Sequence, residues 1–356
     1  MIIKMADFPQ PQYAKAYMNQ RLLNIWRSRY VAQVKNISTN SVDFRKYPLE
    51  FAASDTGRKK TLGKISEKLI KQASHEAAAR TKRLYLQHEY LQFGDTVDLS
   101  KFTLHTMPVL LLCYQQQAPL VIYPADEKTS AGISSSLQFG ISEIGAVANQ
   151  LEGCFSEFQL QHSTSKHWLI QCFLTTQINL TSAAILAVLD PVEQAMVKPY
   201  FDLLEEYVSI PWQRLCLTAN QYVQSSPQCQ LVERMLMSVS DISLAVYKRW
   251  SHQFSAYAGA RGGLNDLKIR RSSLRDFDMF QVYLWLCLLQ GNLEPITKEL
   301  VVFCNLVFKG IGIPWKMTIE GTRLLLNEIL GQLNSDEKMI ANHVTTGMMD
   351  AVLAVG

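Results

Sequence analysis

The period of the apolar positions changes near residue 189. Beyond that point they recur at three- and four-residue steps, as on a helix with one buried face. Asp190-Pro191 opens such a helix with an acidic N-cap and a proline in the first turn, and Ser209-Ile210-Pro211 and Ser226-Pro227 open two more. Asp241 precedes an amphipathic stretch over 242–250, and residues 276–290 are apolar nearly all round, which predicts a deeply buried helix. Gly291-Asn292 ends it as a left-handed cap. Helices over 299–308, 318–333 and 336–355 complete the series, with a break at 310–314.

Before residue 189 the texture is mixed. Residues 109–114 and 120–123 are short β-branched or aromatic runs around a turn-like 115–119, which predicts two strands joined by a tight loop. Residues 167–174 read as a third strand. Residues 141–158 space Ile144, Val147, Leu151 and Phe155 like a helix, and apolar clusters at 22–26 and 30–34 suggest another. Over 58–83, Leu62, Ile65, Leu69 and Ala73 share one face of a basic amphipathic helix with nine Lys/Arg around them. The expected fold is therefore α+β: a mixed α/β domain over 1–185, then an all-helical domain over 189–356.

Composition agrees with two folded domains, since 356 residues are 48% hydrophobic and only 19% charged. Charge adds one asymmetry. Residues 1–100 hold 17 Lys/Arg against 9 Asp/Glu, and the other 256 hold 18 against 22. The basic stretch 58–83 has two readings, an anionic partner (a membrane surface or an acidic protein) or an ordinary solvated helix with a buried stripe. Nucleic acid is not expected as a partner, because no aromatic residue interleaves with these cations.

The seven cysteines lie singly, mostly in apolar runs and without a CxxC pair, and read as reduced core thiols. The first residues, MIIKMADFPQPQY, have no apolar signal core, and no run is long enough to span a bilayer, so the expected location is cytoplasmic. The histidines show neither HxxxH nor HExxH spacing, and there is no P-loop or GxGxxG. No metal site and no catalysis are expected.

Several segments carry a family pattern. Ser273-Leu274-Arg275-Asp276-Phe277-Asp278-Met279-Phe280 is similar to a Cys-Leu-Arg-Asp-Leu-Asp-Tyr-Tyr motif, and Gly291-Asn292-Leu293-Glu294-Pro295 follows as the end of the helix it opens. Ala245-Val246-Tyr247 lies upstream, with the glycine-rich Arg261-Gly262-Gly263 between. Downstream come 309–314 and Ile319-Glu320-Gly321-Thr322-Arg323. In this order and spacing they resemble the phycobiliproteins of light-harvesting antennae, over roughly the last 165 residues.

The resemblance implies a globin-like body preceded by two helices, near 190–206 and 209–222, that pair with another subunit. Val197, Phe201, Leu204, Val208 and Trp212 would be that interface, or else would pack on the chain's own core. It also implies a pigment pocket. The family's attachment cysteine is replaced by Ser273, and an unactivated serine cannot supply the sulfur nucleophile of the thioether. No covalent bilin is expected. Arg275 stands where the family pairs a pigment propionate, and Asp276 where it accepts from pyrrole nitrogens. Met279 and Phe280 replace tyrosines, and Trp285 replaces a smaller residue, so polar anchors are lost and bulk is gained. The expected function is a non-catalytic phycobilisome-related module that binds or assembles antenna proteins, at the thylakoid periphery. The alternative is a sensor that holds a bilin or another tetrapyrrole non-covalently.

Overall fold

The computed structural model describes residues 21, 22, 25, 49–84, 93–122, 138–161, 171–259 and 262–355. Its elements are α1 (Leu49–Ala53), α2 (Asp55–Gly63), α3 (Glu67–Leu84), α4 (Phe93–Gln116), β1 (Leu120–Ile122), β2 (Gln138–Gly140), α5 (Ile144–Gln161) and α6 (Gln171–Leu186). They continue with α7 (Pro191–Ser209), α8 (Trp212–Ala219), α9 (Pro227–Met237), α10 (Val239–Gln253), β3 (Ala258–Gly259), β4 (Gly262–Gly263) and α11 (Leu267–Gln290). A π-helical turn, Pro295–Leu300, runs into α12 (Val301–Gly310), followed by α13 (Trp315–Gly331) and α14 (Ser335–Leu353).

The described residues are essentially all-helical, and the expected mixed α/β domain over 1–185 is not found among them. Residues 109–114 are helical, inside α4. Their continuous apolar run has a physical cause: α4 packs against α3, α5, α6 and α7, so it is covered on several sides. A short apolar run on such a helix cannot be told from a buried strand. The longer window keeps the helical step, with Leu99, Phe102, Met107, Leu110 and Tyr114 all buried. Leu120–Ile122 is a strand, but its antiparallel partner is β2, with Val121 opposite Phe139. Of the strand expected at 167–174, residues 171–174 begin α6 and the rest lie outside the described residues, as do the clusters near 22–26 and 30–34 apart from residues 22 and 25.

The helix expected over 58–83 is two helices. A turn after Gly63 separates α2 from α3, and the Ser66 hydroxyl accepts from the Leu69 amide at 3.1 Å to cap the second. Arg58 points inward, and Lys64 reaches Asp190 at 3.2 Å and Glu193 at 2.7 Å. The basic residues therefore do not share one face.

Helices after residue 189 match their start signals. Asp190 caps α7 by accepting from the amides of Val192 at 3.2 Å and Glu193 at 3.1 Å, while the Glu193 carboxylate accepts from the Asp190 amide at 3.0 Å. Gly291 ends α11 with φ of 67°, a left-handed conformation that favours glycine. From Phe277 to Leu289, α11 is buried on most sides because α8, α9, α10, α13 and α14 pack around it. Ser243 of α10 donates to the buried Asp278 carboxylate at 2.6 Å and accepts from Gln281 at 2.9 Å, which fixes α11's rotation.

No gap in the core marks the expected boundary at 185–189. It falls in the turn between α6 and α7, which pack along each other, and one buried cluster extends from Leu22 to Val352. The stripe assigned to a subunit interface lies inside this cluster. Val197, Phe201, Leu204 and Trp212 are at most 2% exposed and Val208 is half-buried. Their cover is the chain itself: neighbouring Tyr200 stacks edge-on against Tyr114, and Tyr207 against Phe155. These side chains are not available to a second subunit. None of the described helices is long and apolar enough to cross a membrane.

Candidate ligand cleft

Helix α11 begins beside a turn rich in glycine, and the space between them is a cleft. Asp266 caps the helix, accepting from the Lys268 amide at 2.8 Å. The β3–β4 ribbon just before it turns with Gly262 at φ of 124°, a conformation side chains rarely adopt. Hydroxyls hold this ribbon in place: Tyr247 donates to the Leu264 carbonyl, and Tyr257 to the Gly312 carbonyl at 3.2 Å. The opposite wall is set by Trp250, whose indole donates to the Met317 carbonyl at 2.8 Å and packs edge-on against Phe277.

The cleft has two chambers that share Ser273 and Asp276 among their lining residues. The larger one, about 120 Å³, lies between the ribbon, α11 and α12, and is also lined by Thr175 of α6 and Ser209 of α7. The smaller one, about 60 Å³, is walled by Trp250, Phe277, Phe280 and Phe308, with Thr318 and Thr322 of α13.

Ser273 and Asp276 line both chambers, Arg275 and Met279 the larger one and Phe280 the smaller one. Trp285 does not belong. It lies further along α11, fully buried, and lines neither chamber. Its bulk fills the core between helices and does not obstruct a pocket. The sequence reading missed Trp250, Tyr257, Phe308, Met317, Thr318 and Thr322. Most of them sit beside the segments 309–314 and 319–323 or the glycine turn, so proximity to those segments was the available signal.

Charge at the cleft runs along the α7–α11 seam. Arg275 pairs with Glu205 and, at 3.0 Å, with Asp276. Burial disfavours the Arg275 charge, but Asp276 and Glu205 outweigh it and raise its pKa. Burial raises the Asp276 carboxyl above its ordinary range, and Arg275 opposes that shift. One helical turn earlier, Asp202 receives Arg271 and, at 2.7 Å through both oxygens, Lys198. Burial is the larger influence there and pushes Asp202 up to about 7, against Lys198 and with help from Glu205 and Glu206. The guanidinium assigned to a ligand's propionate is thus committed to two carboxylates of the chain itself.

Three hydroxyls in the cleft have no such commitment. Thr175, Thr318 and Thr322 are buried, and their Oγ1 atoms have no hydrogen-bond partner among the described residues. A helical threonine can bond the carbonyl four residues back, as Thr106 and Thr345 do at 2.8 and 3.0 Å. Buried hydroxyls without a partner among the described residues also occur away from the cleft, at Tyr114, Tyr200 and Ser182, so these three do not by themselves mark a ligand site. The free cysteines among the described residues are buried, and none lines either chamber. Among the described residues, no three or more His, Cys, Asp or Glu side chains come together as a metal site would need.

Set against models of protein families, curated proteins and solved structures, the chain matches none. Any functional reading therefore rests on the cleft and on the segments quoted above.

Proposed function

We propose that the protein is a non-catalytic sensor that holds a bilin or another tetrapyrrole without a covalent bond, in the cleft at the head of α11. The observation that carries this reading is convergence. Ser273, Arg275, Asp276, Met279 and Phe280 line one cleft, together with aromatic walls from α10 and α12. Ligand sites have this character: apolar and aromatic surfaces with a few placed polar groups.

Size sets a condition on it. The larger chamber offers about 120 Å³, against roughly 300–1,000 Å³ for pockets that enclose drug-sized ligands. A tetrapyrrole would therefore place only one end in it, and the cleft would have to widen for the remainder. The antenna partners implied by the resemblance would have to meet a surface other than the buried 190–222 stripe.

Titration of the full chain with biliverdin tests the proposal. A visible band should shift and sharpen on binding and return to that of free pigment on denaturation. Ser273→Trp, which adds bulk at a residue lining both chambers, should weaken binding at least tenfold. Equal binding by that variant would falsify the assignment, and absence of any spectral change would end the tetrapyrrole reading.

A further inference from the structure

We infer that the larger chamber of the cleft takes the ammonium group of a small organic cation, seated against Asp276. The assignment rests on reading the cleft as a ligand site, and not on the ligand being a tetrapyrrole.

Most donors around this chamber are already spent. Ser209 donates to the Glu205 carbonyl at 2.9 Å, Ser272 to the Ile269 carbonyl at 3.0 Å and Tyr257 to the Gly312 carbonyl at 3.2 Å. All three line the chamber, yet their protons go to the chain's own backbone. Arg275 is the one basic side chain lining it among the described residues, and its terminal nitrogens go to Glu205 and Asp276. Asp276 differs. Its Oδ1 accepts from Arg275, while Oδ2 has no hydrogen bond among the described residues. Its side chain is 25% exposed, against 15% for Glu205 and 12% for Asp202, so it is the most open of these three seam acids. The chamber is therefore short of donors and keeps a free charged acceptor. An ammonium is the complement, with three donors and no acceptor.

Charge points the same way. Arg275 is one cation between two carboxylates, Glu205 and Asp276. Along the seam Lys198, Arg271 and Arg275 stand against Asp202, Glu205, Glu206 and Asp276, so ionised carboxylates outnumber cations. Burial pushes the Asp276 carboxyl up, as expected of a charge that is incompletely compensated. A ligand cation supplies the missing compensation, and an anion adds to the surplus. A tetrapyrrole would accordingly have to enter with its carboxylates outward. The rest of the lining suits a hydrocarbon body: Leu264, Ile269, Met279, Phe303, Val307 and Ile311. At about 120 Å³ the space is slightly below the roughly 150 Å³ cavity that holds benzene, which limits that body to about four carbons.

Butylammonium and 1-butanol are the probes, since they match in length and differ in the charged head. Ligand-observed NMR with the full chain at low salt and neutral pH, where the amine is protonated, reads both affinities. Wild type should bind butylammonium at least tenfold more tightly than butanol. Asp276→Asn keeps the side-chain shape and should abolish that preference while leaving butanol unchanged. Glu205 lines neither chamber, so Glu205→Gln removes surplus charge without a lost contact and should reduce the preference several-fold. Should Asp276→Asn fail to fold, Glu205→Gln carries the same test. Equal affinity for the two probes in wild type, absence of butylammonium binding, or an undiminished preference in either folded variant overturns the cation site. A chain that binds biliverdin without preferring butylammonium refutes the cation site alone, and the converse result refutes the tetrapyrrole reading alone.

Discussion

Arg58 belongs by sequence to a cluster of surface cations, yet it is only 7% exposed. Its guanidinium donates to the Gln115 carbonyl at 3.0 Å and to the Ala53 carbonyl, so it closes the C-terminal ends of α4 and α1 together. Those ends carry partial negative charge from unpaired carbonyls, which a cation offsets. Arg58→Met keeps much of the stem volume and removes the donors. It should lower unfolding free energy by about 2–3 kcal/mol, read as a reduced urea midpoint with unchanged slope, and an unchanged midpoint would deny the capping role. Residue identity alone could not have shown this, because Arg58 and its exposed neighbour Lys59 look alike in sequence. Ser273 and Asp276 were legible for another reason, since they sit in a segment whose order of residue types is distinctive. Thr318 and Thr322 were not. Whether a helical threonine bonds the carbonyl four residues back depends on packing, and no local pattern records that.

Elements were legible where chain ends and caps carry the information. The starts of α7 and α9 and the end of α11 follow from Asp190-Pro191, Ser226-Pro227 and Gly291, which act through local backbone chemistry. Helix α4 was misread because its apolar run reflects neighbours on several sides, a tertiary fact. Helices α2 and α3 were merged for a similar reason, the break at Lys64 being held by α7 residues far along the chain. This break changes what the basic segment offers a membrane. With Arg58 buried, Lys59 paired to Asp55 at 2.6 Å and Lys64 engaged, the exposed cations of α3 are Lys68, Lys71, Arg80 and Arg83, interrupted by Glu67 and Glu76. If this face meets anionic lipid, each cation contributes about 1 kcal/mol near the surface and is screened over about 8 Å at physiological salt. Flotation with acidic vesicles should therefore detect binding at low salt only, lost in Lys68→Glu with Lys71→Glu. Salt-independent binding, or none at any salt, would remove the membrane from the list of partners.

The α7–α11 seam adds a pH dependence at the same scale. Asp202 titrates near 7 in the folded chain, well above its ordinary carboxylate value, so the folded state holds a proton that the unfolded state releases. Stability from this group is therefore full below about pH 4 and is lost as pH rises through about 7. Wild type should show a lower urea midpoint at pH 8 than at pH 5, and Asp202→Asn should narrow that difference. An equal difference in both proteins would assign the pH dependence elsewhere.

At the scale of the whole molecule, the division near residue 189 marks a change in apolar pattern without a change of core. The buried cluster joins both halves, and α6 contacts α12 as well as α7. The change of pattern and the contacts that cross it are separate observations, the first read from sequence and the second from packing. The stripe of Val197, Phe201, Leu204 and Val208 makes the distinction testable. Its regular spacing required a cover, and sequence could not say whether that cover was a second subunit or the chain itself. Phe201 and Leu204 are 2% and 1% exposed, against the chain's own helices. Phe201→Asp with Leu204→Asp would bury two carboxylates without partners, each costing several kcal/mol. Together they consume most of the roughly 5–15 kcal/mol that keeps a domain folded. Because one core spans both halves, helix loss should extend beyond α7. Circular dichroism should show a largely unfolded chain, and native-size protein should vanish from gel filtration. A variant that stays fully helical and elutes as a smaller species would mean the seam lies between two chains, and that the 190–222 helices are an interface after all.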